Sequence, residues 1–231
     1  MIKNRTYPIP LLDKIVPQNT QLATFSLGCF WGPDSRFGSF SGVVRTRVGY
    51  AGGTSTHPTY HDLDGHSETV QIEFDPTRIS YEKLLDIFWH SHNPEVRPWS
   101  WQYASIIFYH DLEQERLAEE TKFHIEEAHR KVKIYTQIMH YTDFYLAEDY
   151  HQKYWLQRSP EIFDEFRRIY PNFQDIVNST AAARVNSILG GHASMDVTMA
   201  ELSTYGLSPE GNLILADTVR RMERKLERIV G

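Results

Sequence analysis

The stretch QLATFSLGCFWGPDSRFGSF, residues 21–40, decides the fold, because it predicts a strand, a tight turn and a helix in immediate succession. Gln21 to Leu27 predicts the strand. Pro33 to Phe40 predicts the helix, with the proline near its start, where a missing N–H group costs nothing. The turn between them, residues 28–32, holds Cys29, the only cysteine in the chain. We therefore expect the Cys29 sulfur to lie at or near the N-terminus of a helix.

A helix N-terminus is a favourable place for a reactive thiol. Its unpaired backbone N–H groups and the positive end of the helix dipole favour negative charge, and they depress the pKa of a nearby thiol. The alternative is that Cys29 is a small buried hydrophobe, as most free cysteines are. The flanking Gly28 and Gly32 favour the reactive interpretation, because they permit a tight bend and a close backbone approach that a packed core cysteine does not need.

A second strand is predicted at residues 68–74, in which Val70, Ile72 and Phe74 share one face. Glu68 has the same parity as these apolar residues. A carboxylate on a buried face must be paired, hydrogen bonded or protonated. Desolvation there raises its pKa and suits it to donating a proton. The alternative is that the strand end is wet and that Glu68 points out of the sheet edge.

The rest of the pattern predicts an α+β fold. Further strands are predicted at Val43–Tyr50, Ala104–Tyr109 and Lys133–Tyr141, and helices after Ser80 and from Asp111 to Lys131. Apolar residues on both faces of segment 133–141 indicate a central strand. The order of elements indicates a two-layer mixed β-sheet with helices on one side, a ferredoxin-like core with additions. Residues 54–65 form a long irregular segment, which is typical of a functional or mobile loop.

We divide the chain into three parts. Residues 1–20 carry three prolines among scattered apolar residues, which predicts an extended N-terminal arm. Residues 21–159 form the predicted catalytic domain. Beyond Pro160 only helical patterns remain, so residues 160–231 are predicted to be a helical C-terminal extension, either a clamp on the sheet or an oligomer contact.

Bulk composition excludes several classes of protein. The 231 residues are 41% hydrophobic and 23% charged, as in an ordinary globular protein. A formal net charge of −6 argues against nucleic acid or an anionic membrane as the main partner. A single cysteine excludes an internal disulfide and favours a reducing compartment. Residues 1–19 lack the apolar segment of a signal peptide, and no run approaches the length of a membrane span. We expect a cytoplasmic protein.

Several short motifs together resemble the type A peptide methionine sulfoxide reductases. The resemblance covers roughly residues 23–156, and the order and spacing of its motifs are highly specific. The motifs are Gly28-Cys29-Phe30-Trp31-Gly32, Gly49-Tyr50-Ala51-Gly52-Gly53, Pro58-Thr59-Tyr60, Gly65-His66-Ser67-Glu68, Asp75-Pro76, Phe88-Trp89, His92-Asn93-Pro94 and Ala147-Glu148-Asp149-Tyr150-His151-Gln152. Residues 178–189 resemble, more weakly, the tail of some longer members.

The resemblance implies the chemistry of the site. Cys29 matches the thiolate that attacks the sulfoxide sulfur, and Glu68 matches the carboxyl group that protonates the sulfoxide oxygen. Tyr60 and Tyr103 match two tyrosines that hydrogen bond to that oxygen. A sulfoxide is a poor electrophile until its oxygen takes up charge or a proton, so a neutral acid and two phenols stabilise the transition state. The products are methionine and a Cys29 sulfenic acid.

The resemblance also implies the substrate and the partners. Phe30 and Trp31 match an aromatic wall that holds the methyl group of methionine S-sulfoxide, either free or in a peptide. No cofactor and no metal are expected. Many members recycle the sulfenic acid with a second cysteine near the C-terminus, which this chain lacks. We therefore expect thioredoxin, glutaredoxin or a small external thiol to attack Cys29 directly.

One segment departs from the family pattern. Between Asn93-Pro94 and Gln102-Tyr103 the family has a longer glycine-rich loop with an aspartate, whereas residues 95–101 read EVRPWSW, without aspartate and with two tryptophans. An alternative function follows from this difference: a catalytically weakened homologue that binds oxidised methionine or a protein partner without turnover. A metal protein is a third interpretation, suggested by 11 histidines. None of them has the spacing of a strong zinc motif.

Overall fold

The fold is described by a computed structural model that covers residues 7–15, 17–130 and 132–230, with side chains up to residue 224. Residues 1–6 of the predicted arm therefore lie outside the described residues. The strands are β1 (Gln21–Leu27), β2 (Val43–Ala51), β3 (Ser67–Phe74), β4 (Ser105–Tyr109), β5 (Gln137–His140) and β6 (Phe144–Leu146). They form one sheet in the order β5-β4-β1-β3-β2-β6. Neighbouring strands are antiparallel except β4 and β5, which are parallel.

The helices connect these strands and then continue beyond them. They are α1 (Leu11–Lys14), α2 (Trp31–Gly38), α3 (Tyr81–Trp89), α4 (Leu112–Ala128), α5 (Tyr154–Gln157), α6 (Pro160–Ile169), α7 (Phe173–Val177), α8 (Thr180–Leu189), α9 (Met195–Glu201) and α10 (Pro209–Val230). The predicted α+β class is confirmed. No described helix is both long and apolar enough to cross a bilayer.

The main core lies between the sheet and the helices of one face. Phe25 on β1 contacts Phe37 of α2 and Phe88 of α3, with ring centroids 5.6 Å and 5.1 Å apart. In the β1–β3 register Phe25 lies opposite Val70, so the apolar face of β3 joins the same core. Burial of each such side chain contributes roughly 1.5–3 kcal/mol. This core places α2, and with it the preceding turn, against the end of β1.

Two predicted helix starts are confirmed by their caps. The Ser80 hydroxyl accepts a hydrogen bond from the backbone N–H of Lys83, 3.2 Å away. The Asp111 carboxylate accepts one from the backbone N–H of Gln114 at 2.8 Å. Such a cap stabilises a helix by about 1 kcal/mol. Helix α4 ends at Ala128, short of the predicted end at residue 131, which lies outside the described residues.

The structure corrects three expectations. The segment 133–141 does not form a central strand, because β5 lies at the edge of the sheet and pairs only with β4. Its apolar side chains pack against the cores on the two faces near this edge, and this produced the misleading pattern. The strand β6 was not predicted. The N-terminal arm is not wholly extended, since α1 forms one helical turn in which Asp13 bonds to Ser179 and to the N–H of Ala181.

A second hydrophobic cluster lies in the C-terminal helices. Buried residues of α6, α8 and α10 pack together, among them Phe166, Val185 and Leu215. Helix α8 also packs directly on α2, where the Arg184 guanidinium donates to the carbonyl of Gly38. The C-terminal helices therefore lie against the helix that follows Cys29.

A buried ion pair connects these parts of the fold. The Lys153 ammonium is fully buried and lies 2.8 Å from Asp34 of α2. It also donates to the carbonyl of Thr46 on β2, at 2.5 Å. The other carboxylate oxygen of Asp34 accepts from the Asn186 amide of α8 at 3.1 Å. One buried cluster thus joins α2, β2, α8 and the segment preceding α5.

Candidate functional site

Cys29 lies in the turn between β1 and α2, with its side chain exposed to solvent. The turn is possible because Gly28 adopts a φ of +86°, a conformation that L side chains rarely adopt. Cys29 immediately precedes the cap residue of α2, and its sulfur accepts a hydrogen bond from the backbone N–H of Trp31. The buried-hydrophobe interpretation of the cysteine is therefore wrong, and the predicted position at a helix N-terminus is confirmed.

The protonation of Cys29 differs from the expectation. Partial burial of the sulfur raises the pKa of the Cys29 thiol above its ordinary value, and the Trp31 N–H lowers it by a smaller amount. The negative charge of Glu68 and a hydrogen bond to its carboxylate raise this pKa further. The expected depression is thus wrong for the resting protein, because the helix N-terminus is outweighed by desolvation and a neighbouring acid.

Glu68 lies beside Cys29 on the helical face of the sheet, as its strand parity predicts, with 1% of its surface exposed. Its carboxylate accepts hydrogen bonds from the backbone N–H of Phe30 at 3.1 Å and from the Gln102 side-chain amide at 2.8 Å. Burial raises the pKa of Glu68, and these donors together with the Cys29 thiol offset the rise only in part. A carboxyl group whose pKa is raised in this way is suited to accepting and donating a proton.

Tyr60 and Tyr103 complete the group around the sulfur. Their side chains hydrogen bond to each other, although one comes from the long loop after β2 and the other from the turn before β4. Burial raises the pKa of the Tyr103 phenol, as do the bond to Tyr60 and the nearby charges of Glu68 and Cys29. The Tyr103 phenol therefore stays protonated and can donate a hydrogen bond. The shortened loop before Tyr103 has not moved this residue away from the others.

Phe30 and Trp31 form an aromatic wall next to these residues. Phe30 is buried against Tyr50 and Val48, and Trp31 stacks on Tyr154 with ring centroids 3.8 Å apart. The Trp31 indole N–H donates to Nδ1 of His151 at 3.2 Å, which fixes the orientation of the indole. The six predicted site residues are thus found around one turn of the chain.

Sequence reasoning did not assign a role to two residues that organise the site. Gln102 holds the Glu68 carboxylate, as described above. Glu148 accepts hydrogen bonds from the Tyr50 hydroxyl at 2.7 Å and from the backbone N–H of Tyr60 at 3.0 Å, and so fixes the loop that carries Tyr60. Burial opposes ionisation of Glu148, but these two bonds, its own backbone N–H and the nearby His151 together outweigh burial and lower its pKa. Glu148 stands inside a quoted motif and Gln102 stands next to Tyr103, and these positions were the only signals that could have found them.

The histidines do not gather into a metal site in the part of the chain that the structure describes. Within residues 7–15, 17–130 and 132–230, no group of three or more His, Cys, Asp or Glu side chains could hold an ion. His66 instead contacts the N–H of Gly53 and the carbonyl of Ser55, and His92 contacts Ser105. These contacts support the loops around Cys29.

Comparison with known proteins gives consistent matches. The sequence model described as peptide methionine sulfoxide reductase matches residues 21–183. A peptide methionine sulfoxide reductase of Drosophila melanogaster is 42% identical over 201 residues, which are 87% of this chain and 80% of the relative. A peptide methionine sulfoxide reductase MsrA of Methanothermobacter thermautotrophicus is 45% identical over 148 residues, 60% of this chain and 87% of the relative.

Solved structures of the same kind are also similar. The structure of methionine sulfoxide reductase A of Corynebacterium diphtheriae has a TM-score of 0.57 at 30% identity and covers 62% of this chain and 77% of its own. The reduced form of Mxr1 from Saccharomyces cerevisiae has a TM-score of 0.57 at 26% identity, with 63% and 89% covered. The residues 21–183 that the family model matches contain β1 to β6 and the turn at Cys29.

Proposed function

The chain belongs to the peptide methionine sulfoxide reductase family, and we propose that it reduces methionine sulfoxide to methionine through the Cys29 thiol. The observation that carries this proposal is the arrangement around the sulfur: an exposed thiol hydrogen bonded to a buried acid, with two hydrogen-bonded phenols beside it. These are the groups that a sulfoxide needs in order to accept a nucleophile at sulfur and a proton at oxygen.

The first step uses the bond between Cys29 and Glu68. Transfer of the thiol proton to the Glu68 carboxylate produces a thiolate and a carboxylic acid together. The thiolate attacks the sulfoxide sulfur, and Glu68 returns the proton to the oxygen, while Tyr60 and Tyr103 donate hydrogen bonds to it. The oxygen then passes to Cys29, so that the thiol and the sulfoxide become a sulfenic acid and a thioether. Phe30 and Trp31 hold the methyl group, as proposed from their position in the wall.

The sulfenic acid is recycled by an external thiol. One thiol attacks Cys29 and releases water to give a mixed disulfide, and a second thiol frees Cys29 and leaves as a disulfide. We propose thioredoxin or another external thiol as this reductant, because the chain has no second cysteine and Cys29 is exposed. A lone cysteine that must cycle in this way suits a reducing compartment, and we place the protein in the cytoplasm.

The fold and its parts support this assignment. We assign a ferredoxin-like arrangement to the core, supported by the strand order β4-β1-β3-β2, with every neighbouring pair antiparallel and with α2 and α3 on one face. We further propose that residues 21–159 form the catalytic unit and that residues 160–231 act as a clamp on α2. The alternative function, binding without turnover, is not favoured, because no group that the chemistry needs is displaced.

The test is a single turnover with each epimer of methionine sulfoxide. Mixing the reduced protein with the S epimer should give one methionine per protein and a sulfenic acid on Cys29, detected by mass spectrometry as an added oxygen. Cys29→Ser should abolish both products. If reduction persists in Cys29→Ser, or if the sulfoxide binds and no sulfenic acid forms, the proposed function is wrong.

A further inference from the structure

The strongest unexplained feature near the site is an exposed tryptophan. Trp99 has 82% of its surface exposed, and tryptophan is enriched among the residues that dominate binding surfaces. It lies in the segment 95–101, which departs from the family pattern. Trp101 and Val96 of the same segment are also exposed.

The segment is held in place in spite of its exposure. At its start the carbonyl of Pro94 accepts from the N–H of Tyr135 at 2.8 Å, and Glu95 contacts His129 at 2.6 Å. At its end the Trp101 indole donates to the carbonyl of Gly65 at 2.5 Å. Between these anchors the Trp99 ring lies against the Tyr103 ring, with centroids 4.8 Å apart. The exposed ring is therefore positioned by its neighbours.

Trp99 forms one side of a cleft of about 470 Å³ whose other side is Cys29. Val96, Pro98 and Tyr103 also line this cleft. Among the described residues that line it, none is Asp, Glu, Lys or Arg. His92 lines it as well, and burial lowers its pKa, so that it is neutral at neutral pH. Asn93 and Ser105 add two polar side chains to the lining. The cleft therefore offers a mainly apolar, uncharged surface of a size suited to a side chain with its backbone.

We propose that this cleft is a subsite for a bulky apolar residue next to the oxidised methionine in a peptide, with Trp99 as its specificity-determining residue. The proposal rests on the proposed function, since it places methionine sulfoxide at Cys29. The cleft is continuous with that position, and one extended residue spans about 3.3–3.6 Å, so the neighbouring side chain reaches it. A free amino acid would bring its ammonium and carboxylate groups to a surface with no charge to pair them.

The experiment compares two peptides with the full-length protein and dithiothreitol as the reductant. The peptides carry methionine S-sulfoxide between two leucines or between two serines. The wild-type protein should have a kcat/KM about tenfold higher for the leucine peptide, mainly through KM, as expected for one good apolar contact. Trp99→Ala should bring this ratio close to one, and Trp99→Phe should retain most of it. Any general loss of catalysis affects both peptides and cancels in the ratio.

Two further measurements sharpen the test. Leu112→Ala is the matched control, because Leu112 is 81% exposed at the start of α4 and does not line the cleft, and it should leave the ratio unchanged. In a Cys29→Ser background, calorimetry should show that Trp99→Ala weakens binding of the leucine peptide about tenfold more than binding of the serine peptide.

The outcomes separate the subsite from the function. The subsite proposal is wrong if the wild-type protein has similar kcat/KM values for the leucine and serine peptides, or if Trp99→Ala keeps the wild-type preference. Neither result would contradict the reductase activity. If Trp99→Ala leaves this ratio of kcat/KM values unchanged but is recycled more slowly by thioredoxin, the subsite proposal is wrong and Trp99 contacts the reductant instead. Failure of the wild-type protein to reduce either peptide, with no sulfenic acid on Cys29, is a failure of the proposed function itself.

Discussion

At the scale of single residues, the site depends on one proton shared between Cys29 and Glu68. Glu68→Gln should slow reduction by roughly 10²–10⁴, the usual contribution of a positioned acid. Because Glu68 raises the pKa of the Cys29 thiol through its charge and its hydrogen bond, the same variant should lower that pKa. Alkylation rates by iodoacetamide as a function of pH measure the thiol pKa. Glu82→Gln, an exposed change on α3, is the control, and an unchanged Cys29 pKa in Glu68→Gln would contradict the coupling.

Glu68 should also make the stability of the protein depend on pH. Burial raises the pKa of Glu68 in the folded state, so its contribution to stability is fully present below its unfolded pKa and is lost as the pH rises through the folded value. Glutamine does not ionise. The free energy of unfolding of Glu68→Gln should therefore improve relative to the wild type as the pH rises above about 4.3, the pKa of an unfolded glutamate. Urea titrations at several pH values measure the difference, and a constant difference would contradict the raised pKa.

Two glycines of the turn should respond oppositely to alanine. At Gly28 the φ of +86° strains any other residue, and no atom lies within 4 Å of an added Cβ, so Gly28→Ala should cost about 1 kcal/mol from the backbone alone. Gly32 lies inside α2 and is equally open. Gly32→Ala should stabilise the protein by about 0.5–1 kcal/mol. Urea unfolding measures both, and equal effects would show that backbone conformation does not distinguish them.

These residues also show what the sequence could predict. The burial of Glu68 followed from the two-residue period of a strand, which is a local rule. The pKa of Cys29 could not be predicted in the same way, because its direction depends on burial and on a carboxylate 39 positions away in the chain. The support from Gln102 and Glu148 is likewise long-range, and no local pattern marks it.

At the scale of elements, the buried Lys153–Asp34 pair predicts a non-additive result. Lys153→Met or Asp34→Leu alone should cost about 3–5 kcal/mol, because each leaves one uncompensated buried charge. The double variant should cost much less than the sum, since neither charge remains. Urea unfolding of the three variants measures this coupling. An additive result would mean that the two charges do not compensate each other.

Elements with local signals were predicted well, and those defined by their neighbours were not. The strand β1 and the starts of α3 and α4 agree with the predictions, because a strand pattern and capping residues are read along the chain. The edge position of β5 depends on which strand pairs with it, and the segment 133–141 carries no sign of that partner. The strand β6 has only three residues, too few to show a period.

At the scale of the whole molecule, the C-terminal helices should be needed for a stable site. A chain that ends at Ser159 loses Asn186 and Arg184, which bond to Asp34 and Gly38 of α2, and uncovers the buried Leu156. We expect a loss of at least about 3 kcal/mol and a large loss of turnover. Urea unfolding and reductase assays of the truncated and full chains test this. An unchanged midpoint would show that the extension is an independent unit.

The α+β class and the helical extension were predictable at this scale, because they follow from the order of strand and helix patterns. The packing of the extension on α2 was one of two open alternatives. The choice depends on a surface match between Ala183 and Gly38, which approach so closely that a side chain at Gly38 would collide with the backbone of Ala183. Such a match is not encoded in either segment alone.

The clamp of α8 on α2 has a consequence for how the protein is made. The ribosome releases Cys29 and Glu68 early, whereas Arg184 and Asn186, which bond to α2, emerge more than a hundred codons later. A nascent chain that stalls before residue 184 carries every reacting group but lacks the contacts that hold α2. Repair activity is thus acquired only after residue 186 has emerged, and a premature stop codon between residues 159 and 184 should be as harmful as the loss of the sulfur itself.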